Sequence, residues 1–131
     1  MHLTARSRYG LKIMVDLAKS KNPLQTRQAI ATRQGIPLDY MGQLTSKLKD
    51  ANLLATGRGC RGGLQLAKKA SEISLWDIFM ALEDSLHPVS CLDDNLKSCC
   101  KHQNDCLSEP IWQDIYGHFS GYLKEKYLSH F

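Results

Sequence analysis

Apolar residues recur at intervals of three and four near the start of the chain, which predicts amphipathic helices. The first helix is expected from Thr4, a suitable N-cap, to about Lys19. Its buried stripe would consist of Tyr9, Ile13, Met14, Leu17 and Ala18. Asn22 and Pro23 then favour a break in the helix.

Two shorter helices with a turn between them are predicted next, over residues 26–34 and 38–50. Ala29 and Ile30 would face inward, and Gly35 lies where a tight turn needs a positive φ. The later helix would bury Met41, Leu44 and Leu48 and expose Asp39, Tyr40, Gln43, Ser46 and Lys47. This arrangement is typical of a helix-turn-helix, whose second helix enters the major groove of DNA.

A glycine-rich hairpin follows these helices. Short strands are predicted over residues 53–56 and 64–66, and the turn between them reads GRGCRGG, with Arg58 and Arg61 near its tip. A tip this slim fits the minor groove, whose negative potential attracts arginine. The hairpin therefore predicts a winged helix-turn-helix over residues 1–83. The alternative is a surface turn whose arginines are solvated.

Two more helices are predicted in the second half. Ser74 and Asp77 suit the start of a helix to about Glu83, with Leu75, Ile78, Phe79 and Leu82 on one face. Pro110 opens a longer helix to about residue 127. Its wide apolar stripe consists of Trp112, Ile115, Tyr116, Phe119, Tyr122 and Leu123. The fold class is therefore mainly α with a two-stranded β wing. The helical segment 110–131 is expected to form a homodimer, which suits a palindromic DNA site.

Length and composition narrow the class of protein. The chain has 131 residues, of which 43% are hydrophobic and 23% charged, as expected for one folded domain. No apolar run approaches the roughly 20 residues of a membrane span, and the start lacks the pattern of a signal peptide. We therefore expect a cytoplasmic protein that does not enter a membrane.

Charge is divided unevenly along the chain. The net charge of +4 conceals a first half, residues 1–70, with 13 Lys and Arg against 3 Asp and Glu. Residues 71–131 carry 4 against 10. The first half is thus +10 and the second −6. So positive a half-chain favours a polyanion partner, here double-stranded DNA.

Four of the five cysteines crowd into one polar segment, within residues 84–109. They are Cys91, Cys99, Cys100 and Cys106. Soft thiolates favour an iron–sulfur cluster, zinc or Cu(I), but the spacing lacks the paired Cys-x-x-Cys of structural zinc sites and ferredoxins. Adjacent cysteines rarely bind one ion, so we expect three thiolates and a fourth position that is open or not cysteine. Free thiols are the alternative.

Other functions remain open at this point. The same fold could hold zinc, use thiol–disulfide exchange among these cysteines, or bind a protein partner. An enzyme is not expected, because a thiol oxidoreductase would want Cys-x-x-Cys within a βαβ pattern. We also find no Ser/His/Asp set, phosphate loop or paired-carboxylate motif in the sequence.

The parts and their order resemble the Rrf-two family of bacterial winged-helix regulators, which includes IscR-like and NsrR-like proteins. The resemblance covers nearly the whole chain. It is carried by LTARSRYG at residues 3–10, by GIPLDYMGQL at residues 35–44 and by the turn over residues 58–63. The spaced cysteines, with Trp112 six residues after the last of them, complete it.

The resemblance implies a dimeric transcription regulator, a repressor or an activator, whose Fe–S cluster senses redox state, iron supply or nitric oxide. By match to the family pattern, Cys91, Cys100 and Cys106 would hold the cluster, with Cys99 competing for the middle place. Glu109 stands where an IscR-like protein has a histidine ligand. We expect it as fourth ligand and favour [2Fe–2S], with [4Fe–4S] possible.

Alternatives for the fourth ligand are His102 and His87. NsrR-like proteins use an acidic residue near the N-terminus, where this chain has Arg8. Gly42 replaces a glutamate with which IscR chooses between DNA sites, so the target sequence does not carry over from the resemblance.

The resemblance also implies DNA contacts. Tyr40 and Gln43 match contacts of the recognition helix, and Arg58 matches the wing arginine that enters the minor groove. On physical grounds Gln43 could pair with an adenine edge, whereas Lys47 and Arg61 suit phosphates.

Overall fold

The computed structural model of the chain describes residues 2–57, 63–96 and 100–131. The helices of these ranges are α1 Ala5–Lys19, α2 Arg27–Gln34, α3 Leu38–Asp50, α4 Leu75–Leu82 and α5 Glu109–Glu125. The strands are β1 Leu54–Thr56 and β2 Leu64–Leu66. Short 3₁₀ helices lie at Ala70–Glu72, Ser90–Leu92, Gln103–Asp105 and Leu128–His130. The predicted winged helix-turn-helix with mainly α structure is confirmed.

Helix α1 is the central support of the fold. Thr4 caps it by accepting a hydrogen bond from the Arg6 backbone N–H at 3.2 Å, as its sequence predicts. Ile13, Met14 and Leu17 are buried and join the core. The core-facing stripe of α1 therefore contacts α2, α3, α4 and β2.

The helix-turn-helix forms where the capping threonine and the turn glycine predict its helix ends. Thr26 caps α2 by accepting from the Ala29 N–H at 3.1 Å, and Gly35 ends it with φ 65° and ψ 41°, in the left-handed region. Ile30 is fully buried, Ala29 half-buried, and Ala31 adds a second buried position. This turn fixes the angle at which α3 leaves α2.

The wing consists of β1 and β2 paired antiparallel, with Ala55 opposite Gln65. The pairing begins at Leu54, one residue later than the sequence predicts. A third segment joins the edge, because the Gln25 and Leu64 backbones exchange hydrogen bonds of 2.9 and 2.6 Å. The segment between α1 and α2 therefore holds the base of the wing.

Helix α4 packs closely against α1. Ser74 and Asp77 form its predicted capping box. At Gly10 the two helices approach so closely that an added Cβ would overlap Leu82. Leu82 is 1% exposed, so this contact lies within the core.

Helix α5 ends at Glu125, earlier than the predicted residue 127. The next residues pair instead with the segment before α4, since the Leu75 N–H donates to the Lys126 carbonyl at 2.8 Å. This non-local pairing competes with the last turn of the helix. None of the helices in the described ranges has the length and apolar character to cross a membrane.

The contact between α1 and α4 gives a first prediction. Gly10→Ala should reduce the free energy of unfolding by about 1–3 kcal/mol, because Leu82 or the helix axis must move. Gly42→Ala is the matched control, since a Cβ there meets nothing within 4 Å; it should stabilise α3 by about 0.5–1 kcal/mol. Urea unfolding of both variants would measure this. Equal stability of the two variants would contradict the close packing at Gly10.

Candidate DNA interface and cysteine loop

The outer face of α3 carries the predicted recognition side chains. Gln43 is exposed together with Asp39 and Ser46, whereas Tyr40 and Lys47 are half-buried. The opposite face buries Met41, Leu44, Thr45 and Leu48. Helix α3 therefore has one face in the core and presents an amide and hydroxyl to solvent.

Tyr40 has a packing role that the sequence does not reveal. Its ring meets the ring of Tyr9 edge-on, with centroids 5.7 Å apart. Arg8 and Lys12 lie over the Tyr9 ring at 5.1 and 5.7 Å from its centroid. Tyr40 thus links α3 to α1 beside two positive charges.

Lys47 is half-buried on the outer side of α3, and its charge also acts on Asp84, which follows α4. The pKa of Asp84 is lowered first by a hydrogen bond from Arg6, at 3.1 Å, and also by the charge of Lys47. Part of the positive field of Lys47 is therefore directed at an acid of this chain.

A buried carboxylate joins α1 to α2. The Asp16 side chain is 4% exposed and accepts from Arg33 Nε at 3.1 Å and Nη2 at 2.7 Å. Gln34 Nε2 donates to it at 2.7 Å. The hydrogen bonds from Arg33 lower the pKa of Asp16, more than burial raises it. Sequence analysis missed this role, although an acid inside the apolar run IMVDL was the available signal.

Positive side chains also rim a groove of about 460 Å³ between α1 and α2. The cations at this groove are Arg8, Lys12, Lys19 and Arg33. Leu11, Val15 and the carboxylate of Asp16 also line it. Part of the predicted charge of the first half is thus gathered on one side of α1.

The wing is described only at its base. Gly57 donates its backbone N–H to the Gly63 carbonyl at 2.8 Å, which closes the hairpin. Arg58 and Arg61, both predicted DNA contacts, lie outside the described residues.

Three cysteines of the loop are described, and all three are half-buried free thiols. Cys91 lies in the 3₁₀ helix Ser90–Leu92, Cys100 follows the residues not described, and Cys106 precedes α5. Cys99 lies outside the described residues. The hydroxyl of Ser108 lies 3.3 Å from Cys106 Sγ, and this hydrogen bond lowers the pKa of the thiol.

The donor set fits an Fe–S cluster in its chemistry, because thiolates are the ligands such clusters use. The arrangement of these side chains in space fits a cluster less well than their chemistry does. Within the described part of the chain, no three His, Cys, Asp or Glu side chains are grouped as a metal site. Binding a cluster would therefore require the loop to draw its thiols together.

The predicted fourth ligands lie in different settings. Glu109 is the first residue of α5, where its Oε1 accepts from Gln113 Nε2 at 3.0 Å. His102 is exposed. His87 stacks on Tyr116 with ring centroids 4.5 Å apart and lies 3.8 Å from Asp93. Asp93 and Ser85 both approach Nδ1 of His87, so Nε2 would be the ring nitrogen for a metal.

The loop begins at a strong contact between α4 and α1. One oxygen of Glu83 accepts from the Thr4 N–H at 2.8 Å, the Thr4 hydroxyl at 2.8 Å and the Ser7 hydroxyl at 2.6 Å. Burial acts to raise the pKa of Glu83, but the hydrogen bonds from Ser7 and Thr4 outweigh it and lower the pKa. Sequence analysis placed Glu83 only as a helix end.

Comparisons with known proteins agree with this geometry. The sequence model of the Rrf2 family, described as iron-dependent transcriptional regulator, matches residues 3–131. Protein rrf2 of Nitratidesulfovibrio vulgaris is 40% identical over 114 residues, covering 86% of this chain and 74% of that protein. The transcriptional regulator IscR of Vibrio atlanticus is 34% identical over 127 residues, covering 95% and 71%.

A solved structure shares the architecture. CymR (YrzC), the global cysteine regulator of B. subtilis, superposes with a TM-score of 0.78 at 28% identity. The match covers 98% of this chain and 94% of CymR.

The Asp16 network gives a second prediction. Asp16→Asn should cost about 1–2 kcal/mol of unfolding free energy at pH 7, a modest value because Arg33 is 44% exposed. The pKa of Asp16 is lowered in the folded protein. Its stabilisation is therefore complete above the unfolded pKa of about 3.9 and is lost as the pH falls through the folded pKa.

Urea unfolding from pH 7 to pH 3 would measure this dependence. The stability difference between parent and Asp16→Asn should shrink at acid pH. Asp50→Asn, at an exposed position of α3, is the control. A difference independent of pH would contradict the ion pair.

Proposed function

Because the chain belongs to the Rrf2 family of transcriptional regulators, we propose that it binds DNA as a homodimer and senses its signal through an Fe–S cluster. Family members are transcriptional regulators and not enzymes. The observation that carries the sensing proposal is the loop of half-buried thiols at Cys91, Cys100 and Cys106. This loop starts at the Glu83 contact with α1 and ends at α5.

The DNA-binding part of the proposal uses α3 and the wing. The exposed amide of Gln43 matches the pair of groups on an adenine edge, and Lys47 and Arg61 would bind phosphates. Tyr40 would contact the backbone or a base from its place against Tyr9. Arg58 would enter the minor groove.

The homodimer part of the proposal relies on α5. Its apolar side chains remain accessible in the single chain: Ile111 is 61% exposed, Ile115 41% and Tyr122 54%. Burying such a surface against a second copy is favourable. A two-fold dimer presents two α3 helices and therefore suits a palindromic operator. We place this activity in the cytoplasm.

The cluster part of the proposal assigns Cys91, Cys100 and Cys106 as ligands, with Cys99 as the alternative to Cys100. Glu109, three residues after the last cysteine, would supply the fourth. A bound cluster supplies a centre that responds to redox state, iron supply or nitric oxide. A non-cysteine ligand and the likeness to IscR favour [2Fe–2S] over [4Fe–4S].

A second candidate is direct sensing by the thiols, without a cluster. Two observations favour it. Cys106 has a lowered pKa, so more of it is thiolate and reactive. The chain also resembles CymR, the global cysteine regulator of B. subtilis. In this version the loop would respond by thiol–disulfide exchange.

Visible absorption distinguishes these candidates. Protein purified without oxygen should be brown and contain iron and sulfide in equal amounts, and Cys91→Ala should lose the colour. Cys60→Ser is the matched control, because Cys60 lies outside residues 84–109, and this variant should keep the colour. Colourless parent protein after reconstitution with iron and sulfide would reject the cluster and favour thiol sensing.

Loss of a side chain that contacts a base and loss of one that contacts a phosphate should change DNA binding in different ways. A duplex selected by the parent protein from a randomised pool would serve as probe. Gln43→Ala should weaken its binding and relax base preference at one position of each half-site, by about 1–3 kcal/mol. Lys47→Ala should weaken all duplexes alike and reduce the salt slope by about 1. If Lys47→Ala lost base preference, or if Gln43→Ala kept it, the assignment of Gln43 to a base and Lys47 to a phosphate would be wrong.

A further inference from the structure

Leu24 rests on the base of the wing although it is 40% exposed. A methyl group added at Gly57 would lie 2.5 Å from Leu24 Cδ1. One added at Gly63 would lie 2.6 Å from Leu24 Cγ. The two glycines precede and follow the tip of the hairpin, so one leucine contacts both arms. An added Cβ at either position would displace the Leu24 side chain from this place.

At Gly57 the backbone conformation does not call for glycine, because its φ is not in the positive range that Gly35 adopts. At both Gly57 and Gly63, an added Cβ would push the Leu24 side chain aside.

The backbone at Leu24 is itself held by neighbouring residues. Asn22 Oδ1 accepts from the Leu24 N–H at 3.2 Å, and Gln25 pairs with Leu64 of β2. The Gln25 side chain accepts from Arg33 Nη2 at 3.0 Å, and the same nitrogen binds Asp16. The segment of Leu24 is therefore held to α1 and to α2, and the turn at Gly35 leads from α2 to α3.

We propose that Leu24 is a positioning residue that sets the direction of the wing relative to α3. Its side chain holds the base of the wing, at Gly57 and Gly63, at a set angle to the helices. With Arg58 in the minor groove, as proposed above, the duplex favoured has a narrow, A·T-rich minor groove beside each major-groove half-site. This inference rests on the proposed DNA-binding function and adds a source of specificity that makes no base contact itself.

Leu24→Ala tests this role on duplexes selected from a randomised pool. The variant should bind the parent's selected duplex about tenfold more weakly and lose preference at the flanking A·T positions. Preference at the positions read by α3 should remain. Leu3→Ala is the matched control, because Leu3 is 39% exposed and should leave both preferences unchanged.

A size exchange separates positioning from simple loss of stability. Gly63→Ala should impair the flanking preference on its own, because its Cβ displaces Leu24. Leu24→Ala combined with Gly63→Ala should recover part of that preference, since the added methyl group occupies the space that is vacated. A purely additive loss in the double variant would overturn the proposal.

Amide hydrogen exchange in the free protein gives a readout independent of DNA. The Gly57 N–H is bonded to the Gly63 carbonyl, and its protection should fall in Leu24→Ala but not in Leu3→Ala. Unchanged protection would overturn the positioning role while leaving the proposed function intact. Failure of the parent protein to select any duplex would overturn both.

Discussion

The close packing of α4 on α1 is the contact on which the rest of the structure depends. Gly10 lacks a Cβ, so Leu82 can reach the α1 backbone and the two helices approach closely. That approach brings the next residue, Glu83, within hydrogen-bonding distance of Thr4 and Ser7. The apolar contact between Gly10 and Leu82 thus positions Glu83 for its hydrogen bonds. Because Ser7 is 1% exposed, its hydroxyl needs a partner inside the protein, and the half-buried carboxylate of Glu83 supplies it.

The hydrogen bonds of Glu83 to Thr4 and Ser7 join α4 to α1 beside the cysteine loop. The cysteine loop starts directly after Glu83, and Asp84 extends this contact to the surface through an ion pair with Arg6. Helix α1 in turn holds α2 through Asp16 and contacts α3 through the ring of Tyr9. Packed and hydrogen-bonded groups therefore connect the start of the loop to α3 without a break. The opposite end of the loop leads into α5, the helix of the proposed dimer contact.

Local signals explain which parts of this fold could be predicted from sequence. Caps and turns involve neighbours in sequence, and so Thr4, Thr26 and Gly35 predicted the helix ends well. Non-local contacts could not be predicted this way. Asp16 meets an arginine seventeen residues later, and the last turn of α5 is replaced by pairing with Ser74 and Leu75. The contact of Leu24 with Gly57 and Gly63 could not be predicted either, because it brings together three segments that are separate in the sequence.

The cysteine loop shows a different limit of sequence reasoning. Its chemistry is evident from composition, because thiolates in a short polar segment favour a soft metal centre. Its geometry depends on what binds. Since the described thiols are not grouped as a metal site, a ligand that gathers them must offset the cost of ordering the loop from its own binding free energy. The loop conformation then depends on whether that ligand is present. Such dependence, next to the hydrogen bonds of Glu83, would meet the requirement of the proposed sensor.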